Sequence, residues 1–135
     1  MQREDLGSLF GRITRRLYLA EEPLLRAHGL SMWGYGVLIH LAKEPGTNQL
    51  GLATAIGYDK SRLIALLDGL VEDGLVVREQ DPADRRNRLV RLTPAGEARL
   101  VAVRAEIRAM EEELLGEFTA AERRSLIGIL IRLAD

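Results

Sequence analysis

The sequence predicts a mainly α-helical protein that carries one small β-hairpin. Leu, Ala, Arg and Glu dominate the 135 residues, and this composition favours helix. Between residues 6 and 73, glycines and prolines separate four segments in which apolar residues recur at helical spacing. Residues 75–93 differ, because two short strand-like runs flank a turn rich in Pro, Asp and Asn, which is typical of a hairpin.

Capping residues and glycines predict where the four N-terminal helices begin and end. The predicted helices cover residues 6–27, 32–42, 49–56 and 59–73. Three have a polar residue at their start that can accept a hydrogen bond from a free backbone N–H group: Ser31, Asn48 and Asp59. A glycine follows three of them, at Gly29, Gly57 and Gly74. Two short helices joined by a glycine-containing turn, ahead of a hairpin, make a winged helix-turn-helix.

Two more helices follow the hairpin. Thr93 and Pro94 are a cap and first-turn pair, so we expect a long helix from Pro94 to about Gly116. Apolar residues along it keep the alternating three and four spacing of a coiled-coil seam, at Leu100, Val103, Ile107, Met110 and Leu114. Thr119 and Glu122 form a capping-box pattern that opens the last helix. The predicted order is four helices, two strands and two helices.

The helices at both ends carry more apolar surface than the small central module can cover. We therefore expect the stripe of the first helix, the 100–114 seam and the last helix to meet a second copy of the chain. The seam itself is interpretable as dimer contact or as intrachain core, rather than as a cofactor site. A twofold dimer is the simplest closed arrangement. Residues 1–135 then form a single domain, in which residues 30–93 are the winged helix-turn-helix and residues 1–29 and 94–135 supply the dimerisation helices.

Composition excludes several function classes. The chain has no cysteine, which excludes disulfides, thiol redox sensing and cysteine-based zinc sites. The two histidines, His28 and His40, lie in different segments without metal-ligand spacing, and there is no Gly-rich phosphate loop, so we expect no metal, no cofactor and no catalysis. No apolar run approaches the roughly 20 residues of a membrane span. The first residues lack the apolar core of a signal peptide, and we expect a cytoplasmic protein.

Charge is distributed unevenly along a chain whose net charge is only −1. Residues 85–91 contain four arginines and no acid, while glutamates cluster near residues 111–117. Screening confines the effect of exposed charges to about 8–10 Å, so the local arrangement matters more than the sum. A hairpin tip with this charge is suited to a groove lined with phosphates.

The pattern Asp-x-Arg-x5-Leu-Thr, present as Asp84, Arg86, Leu92 and Thr93, resembles the wing of the MarR (multiple antibiotic resistance regulator) family of bacterial transcription factors. Three further stretches resemble the family's second helix, helix-turn-helix and first wing strand, namely residues 28–31, 52–61 and 70–77. The resemblance covers essentially the whole chain. It implies a homodimer that binds double-stranded DNA at a pseudo-palindromic operator.

The resemblance implies DNA contacts at two surfaces, the start of the recognition helix and the wing tip. The implied contact residues are Asp59, Lys60, Ser61, Arg62, Arg85, Arg86 and Arg88. Arg86 enters the minor groove on this interpretation, and Asp84 shapes the wing by hydrogen-bonding nearby backbone or arginine groups. Asp59 serves as helix cap, as DNA contact or as both. Arg78 and Arg91 either support the strands or touch the DNA backbone.

Two features of the chain depart from the family pattern or leave its ligand open. Ala65 and Gly69 stand where many relatives place polar or basic side chains, so base reading is expected to depend on residues 59–62 and on the wing. The resemblance also implies a pocket for a small aromatic or phenolic effector between the second helix and the dimer helices. Its candidate lining residues are Tyr18, Trp33, Tyr35 and His40, which are equally interpretable as core residues.

Together these observations favour a homodimeric, sequence-specific regulator of transcription, a repressor that a small effector releases. An alternative is a winged-helix module that binds another protein through its apolar helices and makes no direct operator contact. The near-neutral net charge and the small side chains at Ala65 and Gly69 suit that alternative. A dependence of binding on Arg86 and on salt separates the two.

Overall fold

The structure is a computed structural model that describes residues 2–135. The described residues form six helices and three strands, and the expected mainly α fold with a small β-wing is confirmed. In chain order they are α1 (Leu6–Ala27), α2 (Met32–Lys43), β1 (Thr47–Asn48), α3 (Gln49–Ile56), α4 (Lys60–Glu72), β2 (Val76–Gln80), β3 (Arg88–Leu92), α5 (Pro94–Leu114) and α6 (Ala120–Ala134).

The sheet contains a strand that the sequence did not reveal. Strand β1 pairs antiparallel with β3, Thr47 opposite Val90 and Asn48 opposite Leu89, which gives the strand order β1-β3-β2. The expected order of four helices before the first strand was therefore wrong. With only two residues, β1 is too short to show an alternating apolar pattern. Asn48 also caps α3, because its side-chain oxygen accepts a hydrogen bond from Leu50 N at 2.8 Å.

The predicted helix caps are confirmed. The side chains of Ser31, Asp59 and Thr93 each accept a hydrogen bond from a backbone N–H in the first turn of α2, α4 and α5 respectively. Thr119 and Glu122 form the reciprocal capping box of α6, and the backbone hydrogen bond from Thr119 lowers the pKa of the Glu122 carboxyl. Gly57, with a φ of +68°, takes the left-handed conformation that joins α3 to α4 in a tight turn.

One hydrophobic core holds α2, α3, α4, the sheet and α5 together. Its fully buried members include Leu38, Leu52, Leu67 and Val90. The α5 seam takes part in this core, since the side chains at its first three positions are buried within the protomer: Leu100, Val103 and Ile107. Of the two interpretations of the 100–114 seam, intrachain core is therefore confirmed for these positions. They fill the space beneath α1 and α2.

Helix α5 joins the base of the wing through its backbone. Thr93 Oγ1 donates a hydrogen bond to the carbonyl oxygen of Gly74 at 2.6 Å, and Thr93 N donates to that of Leu75 at 3.0 Å. Gly96 lies so close that a Cβ placed on it would be 2.0 Å from the Leu75 carbonyl oxygen. Any larger residue at this position requires the helix or the strand to move.

Helices α1 and α6 leave much of their apolar surface exposed. No residue of α6 is buried, and only Leu25 of α1 is. The exposed large apolar side chains of these two helices are Leu6, Phe10, Ile13, Tyr18, Leu19, Leu126, Ile127, Ile129, Ile131 and Leu133. No helix within residues 2–135 combines the length and the apolar character that crossing a membrane requires.

One acidic side chain lies in the contact between α1 and α5. Glu21 of α1 is half-buried, and its pKa is raised first by loss of solvent and second by the nearby carboxylate of Glu111 on α5. On the opposite side of the contact, His28 Nε2 lies 2.8 Å from Glu106 Oε2, and Arg99 donates to the carbonyl oxygen of His28 at 2.6 Å. The end of α1 is thus attached to α5 by polar contacts.

Candidate nucleic-acid interface

The wing tip is an ordered loop organised by Asp84. Its Oδ1 accepts hydrogen bonds from the backbone N of Arg86 at 3.1 Å and from Arg86 Nε at 3.2 Å. The backbone closes around it, because Asn87 N donates to the Asp84 carbonyl oxygen at 3.0 Å and Asp81 N donates to that of Asn87 at 3.1 Å. Asp84 thus has the backbone and arginine partners that the resemblance implied for it.

The arginines of the hairpin divide into two groups. Arg85, Arg86 and Arg88 are exposed at the tip, and 90% of the Arg86 side chain is accessible despite its contact with Asp84. Arg78 pairs with Asp68 of α4, and Arg91 Nε lies 3.1 Å from Glu79 Oε2 on the neighbouring strand. Arg78 and Arg91 are therefore paired with acids of the same chain, while the tip presents its positive charge to solvent.

The first turn of α4 forms the second candidate surface. Asp59 Oδ2 accepts a hydrogen bond from Arg62 N at 3.0 Å, so its capping role is fulfilled in the free protein. Lys60, Ser61 and Arg62 are exposed. Basic side chains at a helix N-terminus are mildly unfavourable against the helix dipole, whereas a phosphate is favoured there by both the dipole and the free N–H groups. This turn therefore suits an anionic partner.

The three-stranded sheet fixes both surfaces in one rigid body. Strand β1 leads directly into α3, and β2 follows α4 after Gly74, so the middle strand β3 connects the two ends of the helix-turn-helix. The same core contains Leu52 of α3, Leu67 of α4, Val76 of β2 and Val90 of β3. The wing and the start of α4 are thus held together within a single protomer.

The four candidate effector residues line neither of the two large cavities described below. Trp33 stacks on Tyr58, which follows α3, with ring centroids 4.4 Å apart and an angle of 28° between the planes. Tyr18 is exposed on α1, whereas Tyr35 packs against the core and His40 is half-buried. Two cavities of about 500 and 490 Å³ lie elsewhere, one inside the bend between α5 and α6 and one along α5 beside Ala42.

Sequence reasoning overlooked an apolar pair beside the start of α4. Leu50 of α3 and Ile64 of α4 are 57% and 48% exposed, and they line a cleft together with Lys60 and Ser61. The signal was available, because Ile64 follows Lys60 by four residues and so lies on the same helix face. The spacing alone does not show that Ile64 is exposed, because its burial depends on which neighbours pack against α4.

The chain is similar in sequence to a known protein family and to several curated proteins. The model of the MarR family matches residues 28–87, which span α2 through the wing tip. The putative transcriptional regulatory protein for the hcr operon of Thauera aromatica is 35% identical over 99 residues, 73% of this chain. The transcriptional regulator HosA of Escherichia coli is 34% identical over 101 residues, 75% of each chain. The chain belongs to the MarR family.

The similarity to one solved structure covers nearly the whole chain. The transcriptional repressor CouR bound to a 23-mer DNA duplex has a TM-score of 0.84 at 29% identity, covering 97% of this chain and 93% of its own. CouR from Rhodococcus jostii RHA1 has also been solved with p-coumaroyl-CoA, with a TM-score of 0.80. The chain spans 60% of the length of the Thauera aromatica protein and 75% of that of HosA.

Proposed function

We propose that this MarR-family protein acts as a homodimer that binds a pseudo-palindromic operator in double-stranded DNA and represses transcription until a small aromatic or phenolic effector releases it. The observation that carries the proposal is the placement of two exposed basic surfaces on one rigid body. These are the wing tip with Arg85, Arg86 and Arg88 and the first turn of α4 with Lys60 and Arg62.

Each surface matches a different groove of the duplex. The first turn of α4 meets the major groove, where its free N–H groups bind phosphate and Lys60, Ser61 and Arg62 reach phosphates or base edges. The wing places Arg86 in the adjacent minor groove, where narrow A·T tracts attract a guanidinium group. In a twofold dimer the two α4 helices occupy successive major grooves, about 34 Å apart.

The exposed apolar faces of α1 and α6 support the dimer. They comprise side chains from Leu6 to Leu19 and from Leu126 to Leu133, which a monomer leaves in water. Residues 1–29 and 94–135 are assigned to dimerisation within one domain, with α5 shared between the dimer contact and the protomer core. An effector that alters the contact between the two copies changes the distance between their α4 helices. The affinity for DNA then falls, because the two helices no longer fit both half-sites at once.

The effector site is assigned to the junction between the DNA-binding part and the dimer helices, with Tyr18, Trp33, Tyr35 and His40 as its candidate lining. Among the structural relatives, CouR has been solved with an aromatic CoA thioester, which supports an aromatic ligand class. This function places the protein in the cytoplasm, in contact with the chromosome, and assigns it no catalytic reaction.

The test compares binding of Arg86→Ala with that of wild type to duplexes from the DNA that flanks its gene. Loss of two guanidinium groups per dimer is expected to weaken binding by at least about tenfold and to reduce the slope of log K against log salt by about 2. Arg108→Ala is the matched control, since Arg108 is exposed on α5 outside both surfaces, and it is expected to leave binding unchanged.

The alternative is a protein-binding module that uses the apolar helices as its docking surface. It is favoured by the net charge of −1 and by the lack of a polar or basic side chain at Ala65 and Gly69 of α4. If the protein is such a module, we expect its binding to a partner protein to be insensitive to Arg86→Ala and to salt concentration. Absence of binding to every flanking duplex, even at low salt, would contradict the DNA-binding proposal and favour this alternative.

A further inference from the structure

The cleft between α3 and α4 has an apolar rim at the centre of the candidate DNA surface. Its volume is about 120 Å³, and Leu50, Lys60, Ser61 and Ile64 lie around it. The side chains of Leu50 and Ile64 remain 57% and 48% exposed. Exposure of two large aliphatic side chains to water beside a lysine and a serine is unfavourable in free energy unless a partner covers them.

Ile64 contributes little to the protomer core. The inward face of α4 is formed by Leu63, Leu67 and Leu70, all buried, with Leu66 packed beside them. Ile64 lies on the adjacent face, one turn after Lys60. Helix α4 packs mainly against α2, α3 and β2, whereas the exposed apolar residues that support the proposed dimer lie on α1 and α6.

The surroundings of Ile64 favour a polyanion over another protein. The positive end of the α4 dipole and Lys60 flank it on one side. The acid one turn further along, Asp68, is paired with Arg78 and so presents no free negative charge to a phosphate. Ala65 and Gly69 line a shallow cleft between α4 and the start of α2, and they add no charge to the face that carries Ile64.

A single chemical group in the major groove suits an isoleucine at this position. An aliphatic side chain neither donates nor accepts a hydrogen bond, and the apolar group that base pairs present in the major groove is the C5 methyl of thymine. We propose that Ile64, flanked by Leu50, packs on a thymine methyl in each half-site and thereby selects A·T at that position. This inference rests on the proposed function, because it specifies which base the same surface reads.

The inference assigns to Ile64 the specificity that the small residues after it cannot supply. Contacts from Lys60 and Arg62 to phosphates hold the helix on the duplex but carry no sequence information, so an apolar contact at Ile64 adds discrimination to any base contact that residues 60–62 make. Burial of one methyl group contributes about 0.8 kcal/mol, which is about fourfold in affinity for one half-site and about fifteenfold when both half-sites lose it.

The experiment uses the full chain and a duplex that it binds, taken from flanking DNA or selected from random duplexes. Thymines are replaced by deoxyuridine in symmetric pairs, one in each half-site, which removes only the C5 methyl groups and keeps every hydrogen bond. Binding is measured for wild type, Ile64→Ala and Val71→Ala. Val71 is the matched control, since it is also exposed on α4 but lies seven residues, about 10 Å, further from the first turn.

We expect one symmetric pair of deoxyuridine positions to weaken wild-type binding by about fifteenfold. The same pair is expected to leave the affinity of Ile64→Ala unchanged and to weaken Val71→Ala as it weakens wild type. Equal losses for wild type and Ile64→Ala, or no sensitive position in a duplex whose binding depends on Arg86, would overturn the thymine assignment and leave the proposed function standing. Failure to bind any duplex would overturn both.

Discussion

Two regions of the molecule, the winged helix-turn-helix and the terminal helices α1 and α6, differ in how their apolar helix faces are covered. Both contain amphipathic helices with a regular apolar stripe. In α4 that stripe is covered by the same chain, so Leu67 is 0% exposed, whereas Leu133 of α6 is 62% exposed. The periodicity that predicts a helix therefore does not indicate which surface covers its apolar face.

Helix α5 belongs to both regions, which explains why its seam is interpretable from sequence both as dimer contact and as intrachain core. A three-four repeat is the signature of a coiled coil, and it is also the pattern of any helix that lies in a groove between two others. Leu100, Val103 and Ile107 face α1 and α2 of their own chain. The part of the chain that depends on a second copy is thus smaller than the sequence predicted, and α6 is its clearest element.

The largest expected effect comes from charging the exposed face of α6. Leu126→Glu together with Ile129→Glu places four carboxylates in the proposed dimer contact, where each lost apolar side chain removes about 1.5–3 kcal/mol. We expect dissociation to monomers at micromolar concentration by analytical ultracentrifugation, with helical content retained by circular dichroism. DNA affinity is expected to fall by roughly a hundredfold or more, because each monomer binds one half-site independently and binding at one half-site no longer favours binding at the other.

The control for that variant is Arg124→Glu, an equally exposed position on α6 that reverses charge without removing apolar surface. It is expected to remain dimeric. A dimeric Leu126→Glu, Ile129→Glu double variant would contradict the assignment of α6 to the contact and remove the main difference between the two regions.

A smaller loss is expected from the core of the DNA-binding region. Leu67→Ala removes a fully buried side chain of α4 and is expected to reduce the free energy of unfolding by about 2–5 kcal/mol, measured with urea. The loss should be the same in the charged α6 background, since the two sites share no contact. A loss of stability that depends on dimerisation would show that the core of the DNA-binding region is not complete within one protomer.

The smallest expected effect lies where the two regions meet. Glu21 has a raised pKa in the folded state, so its contribution to stability is favourable below its ordinary pKa and is lost as the pH rises through the folded value. Glu21→Gln is therefore expected to stabilise the protein at pH 7 by less than about 1 kcal/mol. The gain in melting temperature should disappear below about pH 4, where the wild-type carboxyl is protonated. An equal gain at both pH values would exclude the carboxylate as its cause.

Local chemistry made much of the fold predictable. Ser31, Asn48, Asp59, Thr93 and Thr119 cap helices where their side chains predicted, and the turn residues placed the wing. Non-local pairing was not predictable, since β1 forms through its register with β3 and the stack of Trp33 on Tyr58 depends on tertiary proximity. The exposure of Ile64 likewise requires knowing which neighbours leave it uncovered. The DNA-contact assignments remain predictions.

The attachment of α5 at Gly96 makes that helix a lever for the wing. The helix has 21 residues and is therefore about 31 Å long, so each degree of tilt about its far end carries the Gly96 end through about half an ångström. The Leu75 carbonyl lies directly against Gly96, so a displacement of this end of α5 acts on the backbone at the base of the wing rather than on a flexible side chain. A tilt of α5 is therefore expected to change the position of the hairpin and the reach of its arginines.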